Sequence, residues 1–189
     1  FAFEHSRKAK FVGDHGHGYV SYANQPGCGA AHLFNYAGQP WLSQYWVRQV
    51  NEVTYGGTTP DSGYGAHDED QGQMGAVSAL MSIGLFQERG GCDMEPIYEI
   101  TAPVFDEVTI HLDQKFYSGK TFRIITKNNK PENVYIQSAK LNGETLDNCW
   151  FYHRDFAKGG TLELVLGPKP NKSWGVKQLP PSVTPEKVK

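Results

Sequence analysis

The chain has 189 residues with 18 Lys+Arg against 20 Asp+Glu, a formal net charge of −2. That balance excludes a nucleic-acid or anionic-membrane partner recognised by bulk charge. With 39% hydrophobic and 20% charged residues the composition supports a folded core, and no stretch approaches the roughly 20 apolar residues of a membrane span. The chain opens on Phe1 and lacks the apolar segment of a signal peptide, so the expectation is a processed chain or a piece of a longer one.

The first half reads as loops and helices. His15-Gly16-His17 lies in a glycine loop with Asp14 as its one adjacent carboxylate, too few ligands close in sequence, which favours surface histidines over a metal site. Asn24-Gln25-Pro26-Gly27 is a turn whose amides suit hydroxyl groups and whose carbonyls suit calcium; an ordinary Asn-Pro turn has the same composition. A short helix is expected over about 29–36, ending at Gly38. Pro40 opens a second, because a first helical residue needs no N–H; Leu42, Trp46, Val50 and Val53 then give one apolar stripe.

A Gly-rich loop leads to His67-Asp68-Glu69-Asp70-Gln71-Gly72-Gln73. In an extended loop Asp68 and Asp70 project to one side, so the pair can activate a water or hold a hard cation. Equally, either carboxylate can cap the helix that follows, expected over about 71–86 and apolar round most of its circumference. An EF-hand reading fails for want of the sixth-place Gly and the closing Glu. Tyr19, Tyr22, Trp41 and Trp46 are candidate sugar-stacking rings, although Trp46 falls at a core position of its helix.

Beyond Gly90-Gly91 the period changes to two, with strands expected near 98–101, 108–112, 121–125, 133–141 and 161–166. Asn142-Gly143 predicts a tight hairpin, and the Pro-rich residues after Gly167 an extended wrap. Helices first and strands afterwards give an α+β class, with an antiparallel, sandwich-like second half. Cys28, Cys92 and Cys149 share no short spacing, which excludes a CxxC redox pair or zinc knuckle; three buried thiols are expected, with one disulfide plus a free thiol as the alternative.

Several of these motifs together resemble family 92 glycoside hydrolases, the calcium-dependent exo-α-mannosidases. Tyr22-Ala23-Asn24-Gln25-Pro26 and His32-Leu33-Phe34-Asn35-Tyr36-Ala37-Gly38-Gln39-Pro40-Trp41 are similar to the family's NEP…YLYNYAGxPW stretch. Asp68-Glu69-Asp70-Gln71-Gly72-Gln73-Met74, with the helix to Ile83-Gly84-Leu85-Phe86, is similar to its DEDxGxMSAW…ALGFY stretch. Val134 to Ser138, Leu141-Asn142-Gly143, Lys158 to Leu162 and Gly167-Pro168 to Trp174-Gly175 follow in matching order. The likeness runs from about Gly18 to Pro181.

The resemblance implies that residues 1–91 are the terminal helices of an (α/α)6 barrel and 92–189 a small antiparallel β domain with an extended Pro-rich tail. It implies an inverting exo-α-mannosidase, taken as α-1,2-specific, acting on mannose-containing glycans with Ca2+ assistance and secreted or periplasmic. On that map Asp70 is the general base and Asp68 assists it, while Asn24 and Gln25 bind substrate and Gln25 serves as a metal ligand. Two departures stand out: Gln25 replaces the motif's Glu, and Cys28-Gly29 replaces its histidine pair. The general acid lies upstream in the family; Glu4 and Asp14 are in no matching motif, so the chain alone is expected to be inactive and to need the preceding part of the same polypeptide. The competing reading is a non-catalytic carbohydrate-binding or structural β-sandwich module. Helices without their barrel partners expose apolar surface, so the isolated chain is expected to self-associate or be poorly ordered before residue 92. A monodisperse monomer in light scattering would count against that.

Overall fold

The computed structural model describes residues 1–12, 19–23, 25–60, 62 and 72–182. Helix α1 (Ala2–Arg7) is followed by a 3₁₀ turn (Gln25–Gly27), α2 (Leu33–Tyr36), α3 (Pro40–Tyr55) and α4 (Gln73–Ile83). Then come β1 (Leu85–Phe86), β2 (Ile97–Ile100), β3 (Glu107–His111), β4 (Thr121–Lys127), β5 (Tyr135–Leu141), β6 (Glu144–Thr145), β7 (Trp150–Tyr152), α5 (His153–Ala157) and β8 (Gly160–Gly167). No described helix is long and apolar enough to cross a membrane.

Helix α3 starts at Pro40 as its sequence dictates and buries Trp46, Val47 and Val50 in a helical core with Phe3, Phe11, Tyr22 and Met74. It also buries a second, polar stripe that hydropathy does not reveal: Gln44, Arg48 and Asn51. Gln44 Oε1 accepts the Ile136 N–H of β5 at 2.9 Å. Arg48 Nη2 donates to the carbonyls of Ala102 and Pro103 at 3.3 and 2.8 Å. Asn51 Nδ2 donates to Ser82 Oγ of α4 at 2.9 Å, and Ser78 Oγ donates back to Asn51 Oδ1 at 3.1 Å.

Helix α4 is shorter than its hydropathy suggests. Gly72 and Gly84 bound it, both left-handed at φ 95° and 77°, and among the described residues no N-cap side chain bonds to its N-terminus. Asp68 and Asp70, the expected caps, lie outside the described residues. A Cβ on Gly84 would sit 2.5 Å from the Thr101 carbonyl oxygen, so only glycine fits the turn that redirects Leu85 and Phe86 into a strand. Only Met74, Val77 and Met81 of α4 are buried, a single stripe where the sequence predicts apolar contact on most sides.

The second half contains a five-stranded sheet, ordered β3-β4-β8-β5-β6, and a three-stranded one, β1-β2-β7. One core lies between them: Phe122 of β4 stacks on Phe151 of β7 with ring centroids 5.7 Å apart, beside Ile124, Ile136, Leu162 and Trp150. Pairing is antiparallel except between β4 and β8, which run parallel. The β domain is thus antiparallel as expected, with this parallel pair added inside the larger sheet. The excursion through β5, β6, β7 and α5 brings β8 back along β4, and it inserts between β4 and β5. Asn142 and Gly143 both have positive φ, as the hairpin turn requires. The chain after β8 wraps across the sheets, where Trp150 Nε1 donates to the Gln178 carbonyl and Trp174 Nε1 to that of Leu146. Cys28 and Cys149 are buried, but Cys92 is exposed in the β1–β2 connection, which corrects the expectation of three buried thiols.

Replacing Gln44 with Leu leaves the Ile136 N–H of β5 without its acceptor inside the protein. The expected loss is about 1–3 kcal/mol in urea unfolding, while an exposed substitution such as Glu132→Gln in the loop ahead of β5 should stay within about 0.5 kcal/mol.

Candidate functional site

Of the residues singled out from sequence, Asn24, Asp68 and Asp70 lie outside the described residues, as do Asp14 and the His15-Gly16-His17 loop. The segments that flank Asn24 and Asp70 are described, and they meet. Tyr22, two residues before Asn24, is fully buried; its phenol oxygen accepts the Ala31 N–H at 2.8 Å. Burial drives that phenol far above the ordinary tyrosine range. Tyr55, the last residue of α3, donates its hydroxyl to the Tyr22 carbonyl at 2.8 Å and lies 3.5 Å from Met74 Sδ. Met74 is the second residue of α4, two residues after Gly72. One phenol thus ties the segment just before Asn24 to the start of the helix that follows Asp68 and Asp70 in sequence. Beside it a cleft of about 380 Å³ opens, lined by Tyr55, Gly57, Thr58, Thr59, Gly75 and Ser78 among others.

Gln25 stands exposed at the first position of the 3₁₀ turn. Among the described residues no three Asp, Glu, His or Cys side chains converge as a metal cluster would. Glu4 is exposed on α1 and pairs with Arg7 at 3.8 Å, which places it on the surface. Of the candidate stacking rings, Tyr22 and Trp46 are core residues. Tyr19 is exposed, with Phe1 and His5 at 5.3 and 5.1 Å, and Lys172 approaches the ring of Trp41.

A polar cluster that the sequence reading missed lies beneath the Gln25 turn. Glu99 of β2 is 1% exposed. Tyr36, at the end of α2, donates its hydroxyl to Glu99 Oε1 at 2.5 Å, and the Glu88 N–H donates to Oε2 at 3.1 Å. Burial pushes Glu99 up to about 7 against the opposing effect of those two hydrogen bonds, and the nearby Glu88 adds to the rise. Burial also raises Glu88. The available signal was phase: Glu99 alternates with Tyr98 and shares a face with Ile97, an odd place for a carboxylate in a strand. Next to the cluster, the fully buried His32 stacks on Phe86 at 3.9 Å and 4°. Burial lowers His32 to about 3, so it remains a neutral packing group near neutral pH.

Because the folded state raises Glu99 from the ordinary 4.5 to about 7, it binds this proton more tightly than the unfolded chain does. The corresponding stability is complete below pH 4.5 and is lost as pH rises through about 7. Glu88 acts in the same direction. Thermal unfolding between pH 4.5 and 7.5 should show this decline, and Glu99→Gln should flatten it. An unchanged slope in the variant would refute the assignment.

Residues 1–168 match the family model for the glycosyl hydrolase family 92 catalytic domain. A protein of Arthroderma benhamiae described as an uncharacterized secreted glycosidase is 38% identical over 164 residues, which cover 85% of this chain and 20% of that protein. The fold superposes on a family GH92 alpha-mannosidase of Bacteroides thetaiotaomicron in complex with mannoimidazole with a TM-score of 0.79 at 29% identity, covering 89% of this chain and 21% of that one. A family GH92 inverting mannosidase of Bacteroides thetaiotaomicron VPI-5482 gives 0.73 at 32% identity, covering 90% and 21%. The chain therefore spans about a fifth of the length of these relatives.

Proposed function

The chain belongs to glycosyl hydrolase family 92, and on that premise we propose that it is the C-terminal part of an inverting exo-α-mannosidase acting on α-1,2-linked mannose in glycans. The observation that carries the reading is the convergence on Tyr55 of the two motif-bearing segments, within a fold that resembles alpha-mannosidases. Residues 1–91 are read as barrel helices and 92–189 as the accessory β domain. The buried hydrogen bonds from α3 to β5 and to Ala102 and Pro103 favour one unit over a free-standing binding module. The secreted relative supports a secreted or periplasmic location.

In this reading Asp70 takes a proton from the attacking water on the face opposite the leaving group, and Asp68 orients that water. Asn24 and Gln25 bind mannose hydroxyls, their amides serving as both donors and acceptors. A bound Ca2+ supplies Lewis-acid stabilisation of the substrate oxygens and favours ring distortion. Calcium takes hard oxygen donors, and the exposed amide of Gln25 is one of the right chemistry, although uncharged where a carboxylate would bind more strongly. No general acid is placed on this chain, so turnover requires the preceding polypeptide.

Full-length protein should release mannose from α-1,2-mannobiose with inverted configuration, read by NMR of the initial anomer, while residues 1–189 alone should release none. EDTA should abolish release and added Ca2+ restore it. Asp70→Asn should lower kcat by about 10²–10⁴ with folding intact. Undiminished turnover in that variant would overturn the base assignment.

A further inference from the structure

The turn that carries Gln25 is wedged from two sides. A Cβ on Gly27 would lie 1.6 Å from the Ser21 carbonyl oxygen, and one on Gly29 would lie 2.1 Å from both carboxylate oxygens of Glu88. Between these contacts the backbone folds on itself. The N–H groups of Cys28, Ala30 and His32 donate to the carbonyls of Gln25, Gly27 and Gly29 at 3.2, 3.0 and 2.8 Å. Glu88 is fixed from behind by β2, since its own N–H donates to Glu99 Oε2 at 3.1 Å. Its carboxylate, by contrast, has a buried oxygen, Oε2, with no hydrogen-bond partner among the described residues. A buried carboxylate oxygen without a donor is unfavourable, and such breaches of local satisfaction concentrate where a position serves function. The steric contact with Gly29 is what this carboxylate does make. The stretch around Gly29 resembles a motif with a histidine pair at 28 and 29, and here Glu88 fills the volume over position 29 from the turn that follows β1.

We infer that Glu88 is a positioning residue for the substrate site: packed on Gly29, its carboxylate sets the Gln25–Gly29 turn, and so the place at which Gln25 meets the mannoside hydroxyls. The inference rests on the reading of Gln25 as a substrate contact. Glu88 acts through the turn and does not touch the reacting atoms. Gly29 and Glu88 are a matched pair, because a methyl group at 29 would have to displace the carboxylate from the place it occupies.

Two measurements test it on Glu88→Ala, Gly29→Ala and the double variant. The first uses the full-length protein and needs no activity: amide hydrogen exchange at Cys28 and Ala30 should accelerate about tenfold in each single variant. In the double variant, where the new methyl fills the vacated space, it should return toward wild type. The second uses the full-length enzyme on α-1,2-mannobiose: each single variant should raise KM about tenfold with a smaller change in kcat, again partly recovered in the double. Exchange at Cys28 and Ala30 unchanged by Glu88→Ala would overturn the inference, as would additive losses in the double variant. A role limited to general stability would instead lower the melting temperature and scale down kcat at constant KM, and that outcome also overturns it. Absence of mannose release by the wild-type enzyme would defeat the mannosidase reading, while the exchange result would still decide whether Glu88 sets the turn.

Discussion

The polar stripe of α3 is the constraint on which the rest of this structure depends. Two hydrophobic cores, one of helices and one between sheets, meet at this helix, and each requires its own contacts. A helix between two apolar masses would ordinarily be apolar all round. Here its second face is polar because the neighbouring β half ends in backbone groups that have no sheet partner at the junction. Gln44 takes the N–H of Ile136, and Arg48 supplies donors to the carbonyls of Ala102 and Pro103. Buried backbone groups left unpaired would be costly, so the register of α3 against β5 is specified more sharply than apolar packing alone could specify it.

That fixed register has consequences at both ends of the helix. At its C-terminus Tyr55 is held where its hydroxyl reaches both the Tyr22 carbonyl and Met74 Sδ, so the two motif-bearing segments are anchored by an element whose position the β half sets. Near its N-terminus, α2 delivers Tyr36 to Glu99, on a strand that also holds Glu88 through its N–H. The β half is therefore more than a neighbour of the candidate site. Through Glu99 and Glu88 it reaches the underside of the turn that carries Gln25.

The carboxylates divide into two kinds by environment. Asp68 and Asp70 belong to a glycine-rich stretch ahead of α4, a segment type suited to presenting charged groups to a ligand. Glu99 is enclosed, retains its proton to about pH 7, and accepts hydrogen bonds from the Tyr36 hydroxyl and the Glu88 N–H. A buried acid of that kind makes local structure sensitive to pH without entering the chemistry itself.

The α+β order, the Pro40 helix start, the Asn142-Gly143 hairpin and the paired strands were legible in the sequence because each depends on local backbone preferences or on a repeat of one or two turns. The motif residues were legible too, since their types and spacing are written in the chain. What the sequence could not show was any relation between distant segments. The parallel pairing of β4 with β8, the truncation of α4 at Gly84 by the Thr101 carbonyl, and the burial of Gln44, Arg48 and Glu99 all arise from contacts between distant segments. Polar side chains carry no hydropathy signal for burial, because their partners are backbone groups with no residue identity to read. The sequence by itself thus determined the local elements and the chemistry on offer; only the tertiary structure decided which buried polar groups hold the helical and β halves together, and that a glutamate from the β side would press on the glycine beneath the candidate site.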